Sequence, residues 1–567
     1  MRFRPPISLL LLGLGSLLSI AAISTESYTE SLVLTPFPDG KLHSDFRFDL
    51  SGPWTYEAPN LSSNTITQHH SLLPRLLTSL TRQFSVTHFR LTLSSGRWYS
   101  HWPLHLPAEL PASGIELTAW LELLEGESEQ EEQERWEKFV GAVGGLFCAG
   151  IEGREAKRET TSPSWAFEFE GEGDETEHRL YRLALPRLAA ACTESLTPFL
   201  SLLPCASHAG LSSLLNPHRL FDGEWTLIDI GVKRFEEEIN VSLGVGSVLD
   251  PVRKDRLSGQ LGRREFSFSS LYDRTLKTAC PVASHSEVQL VVPTDSINPF
   301  SIEPDAGKEL RNVGGRDVTV WDTGKALESG TLDVRMTWPD ENPFRYPLIN
   351  QLTPLPISTR RLLNGYGQER GRIGIEIKNN LAREIEVIWV ETWPWWIRGF
   401  VSSLESKVNE TVSEDSVVRT DYTPPISRSR PSTLQVLLRL PPLSTSQHTL
   451  DYESSTLWYT EYPSDSNRGF SVPGSILLLL DSDSSNSSNT SRRPVLLKLQ
   501  TPTTLLSLPL PDFSMPYNVI ILTSTTIALY FGSIVNGLMR RWFCVDVSSS
   551  EDDGDGGGEG KGKEKRQ

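Results

Sequence analysis

The residues of this chain best suited by type and spacing to do chemistry are its cysteines. Cys148, Cys192, Cys205 and Cys280 all precede residue 285, and Cys544 stands near the C-terminus. In an oxidising compartment the first four can pair within the chain in three ways. Alternatively one pair forms and another cysteine bonds a second protein. Cys192 and Cys205 flank TESLTPFLSLLP. Familiar catalytic arrangements are missing: there is no H-E-x-x-H, no G-x-S-x-G and no P-loop. His101 and His105 are near neighbours, but neither has a cysteine or carboxylate at metal-ligand spacing. They read as surface or core histidines, and no metal or cofactor is expected. Carboxylates are plentiful enough to allow a glycosidase-type pair. That keeps a hydrolase with an unrecognised site among the alternatives.

The two ends of the chain decide which compartment these cysteines see. Met1-Arg2-Phe3-Arg4 precedes an apolar run from Ile7 to Ile23, with small residues between Ala21 and Ser24. This is the pattern of a cleaved signal peptide over 1–24. Near the other end, Phe513 to Met539 are 27 residues without a charge. About 20 such residues span a bilayer core as a helix. Arg540, Arg541 and Trp542 follow, which suits a cytosolic interface. The expected topology is single-pass type I, with residues 25–512 lumenal and 540–567 cytosolic. A GPI-attachment signal is disfavoured, because a tail follows the apolar segment. Asn60, Asn240, Asn409, Asn486 and Asn489 begin N-glycosylation sequons, all on the lumenal side. Asn486 and Asn489 share one Ser/Asn-rich loop and are too close for both to be modified. Cys544 faces the reducing side, either palmitoylated or free.

The span is polar for a lone anchor. Ser524, Ala528, Gly532 and Asn536 recur at steps of four. Small residues at that spacing let helices approach closely, and Asn536 can hydrogen-bond across such a contact. Tyr517 and Asn518 fall at the lumenal edge, where they can meet lipid headgroups or a glycolipid.

Composition excludes other classes. Lys plus Arg is 54 and Asp plus Glu is 71, a net charge of −17. With no basic patch, a nucleic-acid partner is not expected. A mean hydropathy of −0.26 excludes a polytopic membrane protein but not one span diluted by a large polar domain.

The elements that must position the cysteines read as mainly β, a β-sandwich-like lumenal region with some helix. His88 to Leu93 alternates and stops at Ser95-Gly96. Leu72 to Phe84 has helical spacing. Trp136, Phe139, Val140, Val143 and Phe147 form one apolar helical stripe. The acidic run 125–138 before it reads as a solvated helix face or a disordered insert. From 285 onward strands dominate. Leu332 to Trp338, Ile373 to Ile377, Glu384 to Trp393 and Thr433 to Leu440 all alternate. The expected division is 25–284, mixed helix and strand, then 285–512, β-rich. Residues 551–567 are Gly-rich and charged, so disorder is expected there.

Several segments together resemble the PIG-T family, a subunit of the GPI transamidase complex. They are DGKLHSDFRFDL (39–50), THFRLTLSSGRW (87–98), ACTESLTPFLSLLPCASHAGLSSLL (191–215), GYGQERGRIGIEIKNN (365–380), WVETWPWWIRGF (389–400), YPSDSNRGFSVPGSILL (462–478) and FSMPYNVIILTSTTIALYFGSIVNGLMRRW (513–542). The resemblance covers nearly all of the lumenal region and the span. The acidic run and the loop 481–492 look like local insertions, and the charged tail lies outside the pattern.

The resemblance implies a non-catalytic subunit. The family's complex cleaves a C-terminal signal from a proprotein and passes the new carbonyl to the ethanolamine amine of GPI. Catalysis is expected in a PIG-K-like cysteine-protease subunit, which this chain would hold and position. A cysteine in the family's C-T-E-x-L-T-P motif is disulfide-bonded to that subunit, and the matching position here is Cys192. On the same resemblance, Cys205 and Cys280 are the expected internal pair, with Cys148 left over. Gaa-type, PIG-S-like and PIG-U-like subunits are the other implied partners, and GPI and the proprotein would be met through the complex. Tyr517, Asn518 and Asn536 become candidate GPI contacts, with plain helix packing an equal alternative. The ending Lys563-Glu564-Lys565-Arg566-Gln567 has the form of a dilysine retrieval signal, which fits the endoplasmic reticulum membrane. The competing readings are a cell-surface or reticulum glycan-binding or adhesion protein, and a lumenal hydrolase.

Overall fold

In the strand Leu42–Pro53, Leu42, Ser44, Phe46, Phe48 and Leu50 are buried, and His43, Asp45, Arg47 and Asp49 alternate with them. This period of two buries one face of a sheet, and it recurs through the protein. The computed structural model describes residues 26–54, 72–151, 158–167, 177–186, 190–257, 259, 262–293, 298–328, 330–341, 343–348, 354–365, 368–462, 465–481, 493–510 and 514–541. The chain falls into two units, Met1–Pro509 and Leu510–Gln567.

The first unit holds one large sheet and a β-sandwich. The large sheet has 11 strands. Their order is Lys308–Val313, Arg316–Asp322, His285–Val291, Ser27–Pro36, Leu42–Pro53, Glu238–Leu249, Trp225–Arg234, Val86–Gly96, Gly114–Glu122, His178–Leu185 and Thr160–Thr161. Neighbours are antiparallel except Ser27–Pro36 and His285–Val291, which run parallel. The expected boundary at 284/285 therefore cuts through this sheet. Residues 285–322 are β-rich as expected, but their hydrogen-bond partners lie at the N-terminal end. Sequence proximity does not reveal such long-range pairing.

Helices cover the apolar face of the large sheet. The spacing of Leu72 to Phe84 yields the helix Arg75–Phe84, which buries Leu77, Leu80 and Phe84. The stripe from Trp136 lies on the helix Glu129–Leu146. The acidic run is thus partly helical: Ser128 and Glu131 form a capping box at its start. One of its carboxylates is not solvated, since Glu132 is buried and pairs with Arg179 at 2.8 Å.

The sandwich packs two sheets. One orders the strands Ile357–Asn364, Arg370–Asn379, Thr445–Ser454, Ile397–Val408 and Thr411–Val412. The other orders Val417–Thr423, Ser432–Leu440, Ile385–Trp393, Ile476–Leu480, Val495–Gln500 and Ala108–Leu110. Between them lie Ile373, Ile375, Ile377, Leu450, Val387, Trp389, Leu434, Val436 and Leu438. The two sheets thus share one apolar core between their inner faces. The alternation predicted for Glu384 to Trp393 fails on one face. Ile388 and Val390, which should face water, are covered by Ala166 and its neighbours. That segment is held by Gln435, whose Oε1 accepts from the backbone N–H of Trp165 at 3.3 Å and of Ala166 at 3.0 Å.

The second unit contains the helix Ser514–Met539. Its residues Tyr517–Met539 are long and apolar enough to cross a membrane.

Candidate functional site

The segment 191–215 carries the cysteines expected to matter, and its local structure separates their fates. Cys192 is the N-cap of the helix Thr193–Leu202. Ser195, Leu196, Phe199 and Leu202 turn into the large-sheet core, and the Phe199 ring packs 6.4 Å from that of Phe48. Thr193, Glu194, Thr197 and Ser201 face outward. Cys192 itself is half-buried and unpaired, with Sγ 3.3 Å from Ser195 Oγ. Ser95 Oγ accepts from the backbone N–H of Ala191 at 3.1 Å, which ties the entry of the helix to the sheet.

Past the helix the chain turns inward. Cys205 is bonded to Cys280, with their Cα atoms 6.0 Å apart. Gly210 follows with φ of 73°, a left-handed conformation that glycine adopts at little cost. A Cβ there would stand 2.6 Å from both carboxylate oxygens of Glu30 and 2.8 Å from Cys280 Cβ. Glu30 accepts from Ser286 Oγ at 2.7 Å, from the backbone N–H of Leu211 at 3.2 Å and from Tyr28 Oη at 3.2 Å. Burial pushes its carboxyl up, and the bonds from Ser286, Leu211 and Tyr28 oppose that shift. The disulfide, Gly210 and Glu30 thus pin this segment to the strands Ser27–Pro36 and His285–Val291. Cys148 is the other unpaired cysteine among the described residues; it is exposed, just past the helix Glu129–Leu146.

Two charged clusters were not foreseen. The first lies on the face of the large sheet opposite its helices. Glu116 is 6% exposed, and its Oε1 meets Arg182 Nε at 2.9 Å and Lys498 Nζ at 3.3 Å. Gln500 Nε2 donates to its Oε2. Arg90 is held bidentately by Asp229 at 2.7 and 2.8 Å and also pairs with Glu109. Lys498 and Gln500 belong to the sandwich, so the cluster clamps it to the sheet. Burial opposes the charge on Glu116, but Lys498 and Arg182 hold its carboxyl well below the usual range.

The second cluster sits in the Trp-rich strand Ile385–Trp393. Trp389, Glu391 and Trp393 share one inward face by the period of two. Glu391 Oε2 accepts from Trp389 Nε1 at 3.1 Å and Oε1 from Trp393 Nε1 at 3.0 Å. Arg361 and Ser475 bond the same carboxylate. A buried carboxylate needs such partners. The visible signal was a lone glutamate among tryptophans; its partners Arg361 and Ser475 are remote in sequence. His448 lies in this core, with Nδ1 2.8 Å from Ser406 Oγ. Burial depresses its imidazole to about 4.

The remaining expected residues are scattered. Asn240 is half-buried in the middle of the large sheet, between Ser51 and Lys233. Asn409 is exposed at the turn joining Ile397–Val408 to Thr411–Val412. Both Asn409 and Glu410 have positive φ, 47° and 69°, as a type I′ hairpin turn requires. Asn60, Asn486, Asn489, Cys544, Lys563, Lys565 and the signal segment lie outside the described residues. His101 Nε2 is 3.5 Å from Asp39, and His105 Nε2 is 2.6 Å from Arg316 Nη1. Among the described residues no group of three His, Cys, Asp or Glu could hold a metal ion.

On the terminal helix, Tyr517, Asn518, Ser524, Ala528, Gly532 and Asn536 are all exposed. The hydroxyls of Thr523 to Thr526 are already satisfied. Thr523 Oγ1 donates to the Val519 carbonyl at 2.8 Å, Thr525 to Ile521 at 2.9 Å, Thr526 to Leu522 at 2.7 Å and Ser524 to Ile521 at 3.0 Å. The case for a neighbouring helix therefore rests on the small residues and Asn536, not on the hydroxyls.

Comparison with known proteins places these features in a family. Residues 12–564 match the family model described as "Gpi16 subunit, GPI transamidase component". The human "GPI-anchor transamidase component PIGT" is 30% identical, covering 94% of this chain and 93% of its own. The Saccharomyces cerevisiae "GPI transamidase component GPI16" is 28% identical over 92% of this chain and 89% of its own. The Schizosaccharomyces pombe "GPI transamidase component PIG-T homolog" is 27% identical over 94% of both. Among solved structures, a part of the RrgA Jo.In complex matches 26% of this chain and 78% of its own at 12% identity, with a TM-score of 0.16, which carries no argument.

Proposed function

The chain belongs to the Gpi16 family of GPI transamidase components, and from that membership we propose that it is the non-catalytic subunit that holds the protease-like subunit through Cys192. The observation that carries this reading is the division of the cysteines. Cys205 and Cys280 take each other, which leaves Cys192 unpaired and half-exposed on a helix whose outward residues are polar and small. The buried side of that helix, the disulfide below it and the Glu30 contacts make a rigid mount. A covalent bond to a partner needs such a mount if it is to fix orientation as well as distance.

Holding a partner in place serves the chemistry. Transamidation must deliver an amine to an acyl intermediate before water reaches it. Fixed walls that orient the amine and exclude water supply the large effective concentrations of positioned reactants. In this reading the chain acts in the membrane of the endoplasmic reticulum, with residues 25–512 on the lumenal side. Ser524, Ala528, Gly532 and Asn536 face the other membrane subunits, Gaa-type, PIG-S-like and PIG-U-like. Tyr517, Asn518 and Asn536 line the approach of the GPI lipid.

The test is a non-reducing gel of the purified complex. A band containing this chain and the protease-like subunit should disappear on reduction and in Cys192→Ser, and persist in Cys148→Ser. A band unchanged in Cys192→Ser, or lost only in Cys148→Ser, overturns the assignment.

A further inference from the structure

The chain leaves the first unit at Pro509, and that exit is anchored. Tyr462 Oη donates to the Pro509 carbonyl at 2.7 Å. The strand Thr504–Leu506, just before it, pairs with Phe470–Val472, and the Phe470 ring packs 5.8 Å from that of Tyr462. Only residues 510–513 separate Pro509 from the helix Ser514–Met539. Four residues reach at most about 14 Å when fully extended. Whatever lies beside Tyr462 is therefore within a short chain length of the bilayer that the helix enters.

What lies beside it is an exposed aromatic edge. Trp458 is 62% exposed and Tyr459 54%, at the start of the single turn Tyr459–Glu461 that leads into Tyr462. The Arg428 guanidinium stacks 3.8 Å from the Trp458 ring centroid, and its Nε meets Glu461 at 2.9 Å. Ile426, two residues before Arg428, is 49% exposed. An indole and a phenol in water are costly unless their apolar bodies find cover. Trp and Tyr are favoured at membrane interfaces because one end is apolar and the other polar.

We propose that Trp458, Tyr459 and Ile426 seat in the headgroup layer of the bilayer, with Arg428, paired with Glu461, holding the Trp458 ring in place. The contact makes a second attachment to the membrane besides the helix. It would hold the sandwich at a set height and tilt over the bilayer. The proposal rests on Ser514–Met539 crossing a membrane, and not on which complex the chain joins. A lipid surface is favoured over a protein partner because only four residues of chain separate Pro509, anchored by Tyr462, from the helix.

The full-length chain in phosphatidylcholine nanodiscs tests it. Trp458 emission is obtained by subtracting the spectrum of Trp458→Phe from that of the unsubstituted protein. In lipid brominated near the top of the acyl chain this difference emission should be lost, and it should be intact in unbrominated lipid. Acrylamide in the aqueous phase should quench it weakly. Equal difference emission in both lipids, with strong quenching by acrylamide, overturns the proposal and leaves the edge to water or a protein partner. Trp458→Tyr gives the same subtraction, so a fold defect in the first variant does not void the comparison.

Discussion

Lys498 of the sandwich and Glu116 of the large sheet meet at 3.3 Å, although 382 residues separate them in the chain. The pair lies in a part-buried seam with Arg182, Glu109 and Arg90. It is reached because Ala108–Leu110, on the link between two large-sheet strands, pairs in parallel with Val495–Gln500. One sheet thus lends an edge strand to the other, and the charges seal the joint.

Removing one side of this seam should cost more than a surface ion pair. Lys498→Met leaves Glu116 short of a cation, and a loss of about 2–4 kcal/mol is expected. The sign with pH follows from Glu116, whose folded carboxyl titrates below its unfolded value of about 4.5. Its contribution is present above that value and is lost as pH falls through the folded pKa. Thermal unfolding of both proteins from pH 7 down to about pH 2 checks this: the variant should be less stable at pH 7, and its deficit should shrink as pH falls below the unfolded carboxyl value. Equal stability at pH 7 would show that the seam contributes nothing.

Gly210→Ala should damage the mount of Cys192. The left-handed backbone alone costs an alanine about 1–2 kcal/mol. The added methyl also meets Glu30 and Cys280 Cβ. Cys280→Ser opens a loop closed over a separation of 75 residues, which the chain-entropy model values at about 4 kcal/mol. Denaturant titration of each variant is the measurement. In both, the reducible band assigned to Cys192 should weaken, because the thiol is no longer held in place.

His448 should make the sandwich sensitive to acid. Its folded imidazole titrates at about 4, against 6.5 for the free side chain. Between those values the unfolded chain binds a proton that the folded chain refuses, so stability falls as pH drops from 6.5 toward 4. The full difference is about 3 kcal/mol. His43, lowered by burial as well, acts in the same direction. His448→Gln should flatten the pH profile of the melting temperature across this window. An unchanged slope would assign the acid loss to other groups.

Glycan occupancy should follow turn geometry. Asn409 is exposed on a two-residue hairpin turn, whereas Asn240 is half-buried inside a sheet. Asn409→Gln should remove more of the glycosidase-sensitive mass than Asn240→Gln, as read by gel shift. The reverse order would mean that modification precedes formation of the large sheet.

Much of the architecture was legible because it is written locally. The period of two in Ile373, Ile375 and Ile377 names an inward face without knowledge of its partner. The stripe from Trp136 to Phe147 does the same for a helix, as does the uncharged stretch ending at Met539 for a span. The acidic run before Trp136 was half legible. Its capping box is a short-range pattern, but the burial of Glu132 depends on Arg179 from another strand. The boundary at 284/285 was misplaced for a similar reason, since His285–Val291 looks like any strand until Ser27–Pro36 is beside it.

The sequence by itself determined the element types, the likeness to a family of GPI transamidase components and the presence of one span, because periodicity, motif and hydropathy reside in neighbouring residues. Only the tertiary structure decided that Glu116 meets Lys498, that Glu391 is paired with Arg361, and that Trp458 is exposed at the turn leading into Tyr462. These depend on which distant segments share a surface, and that choice belongs to the packing of the whole chain.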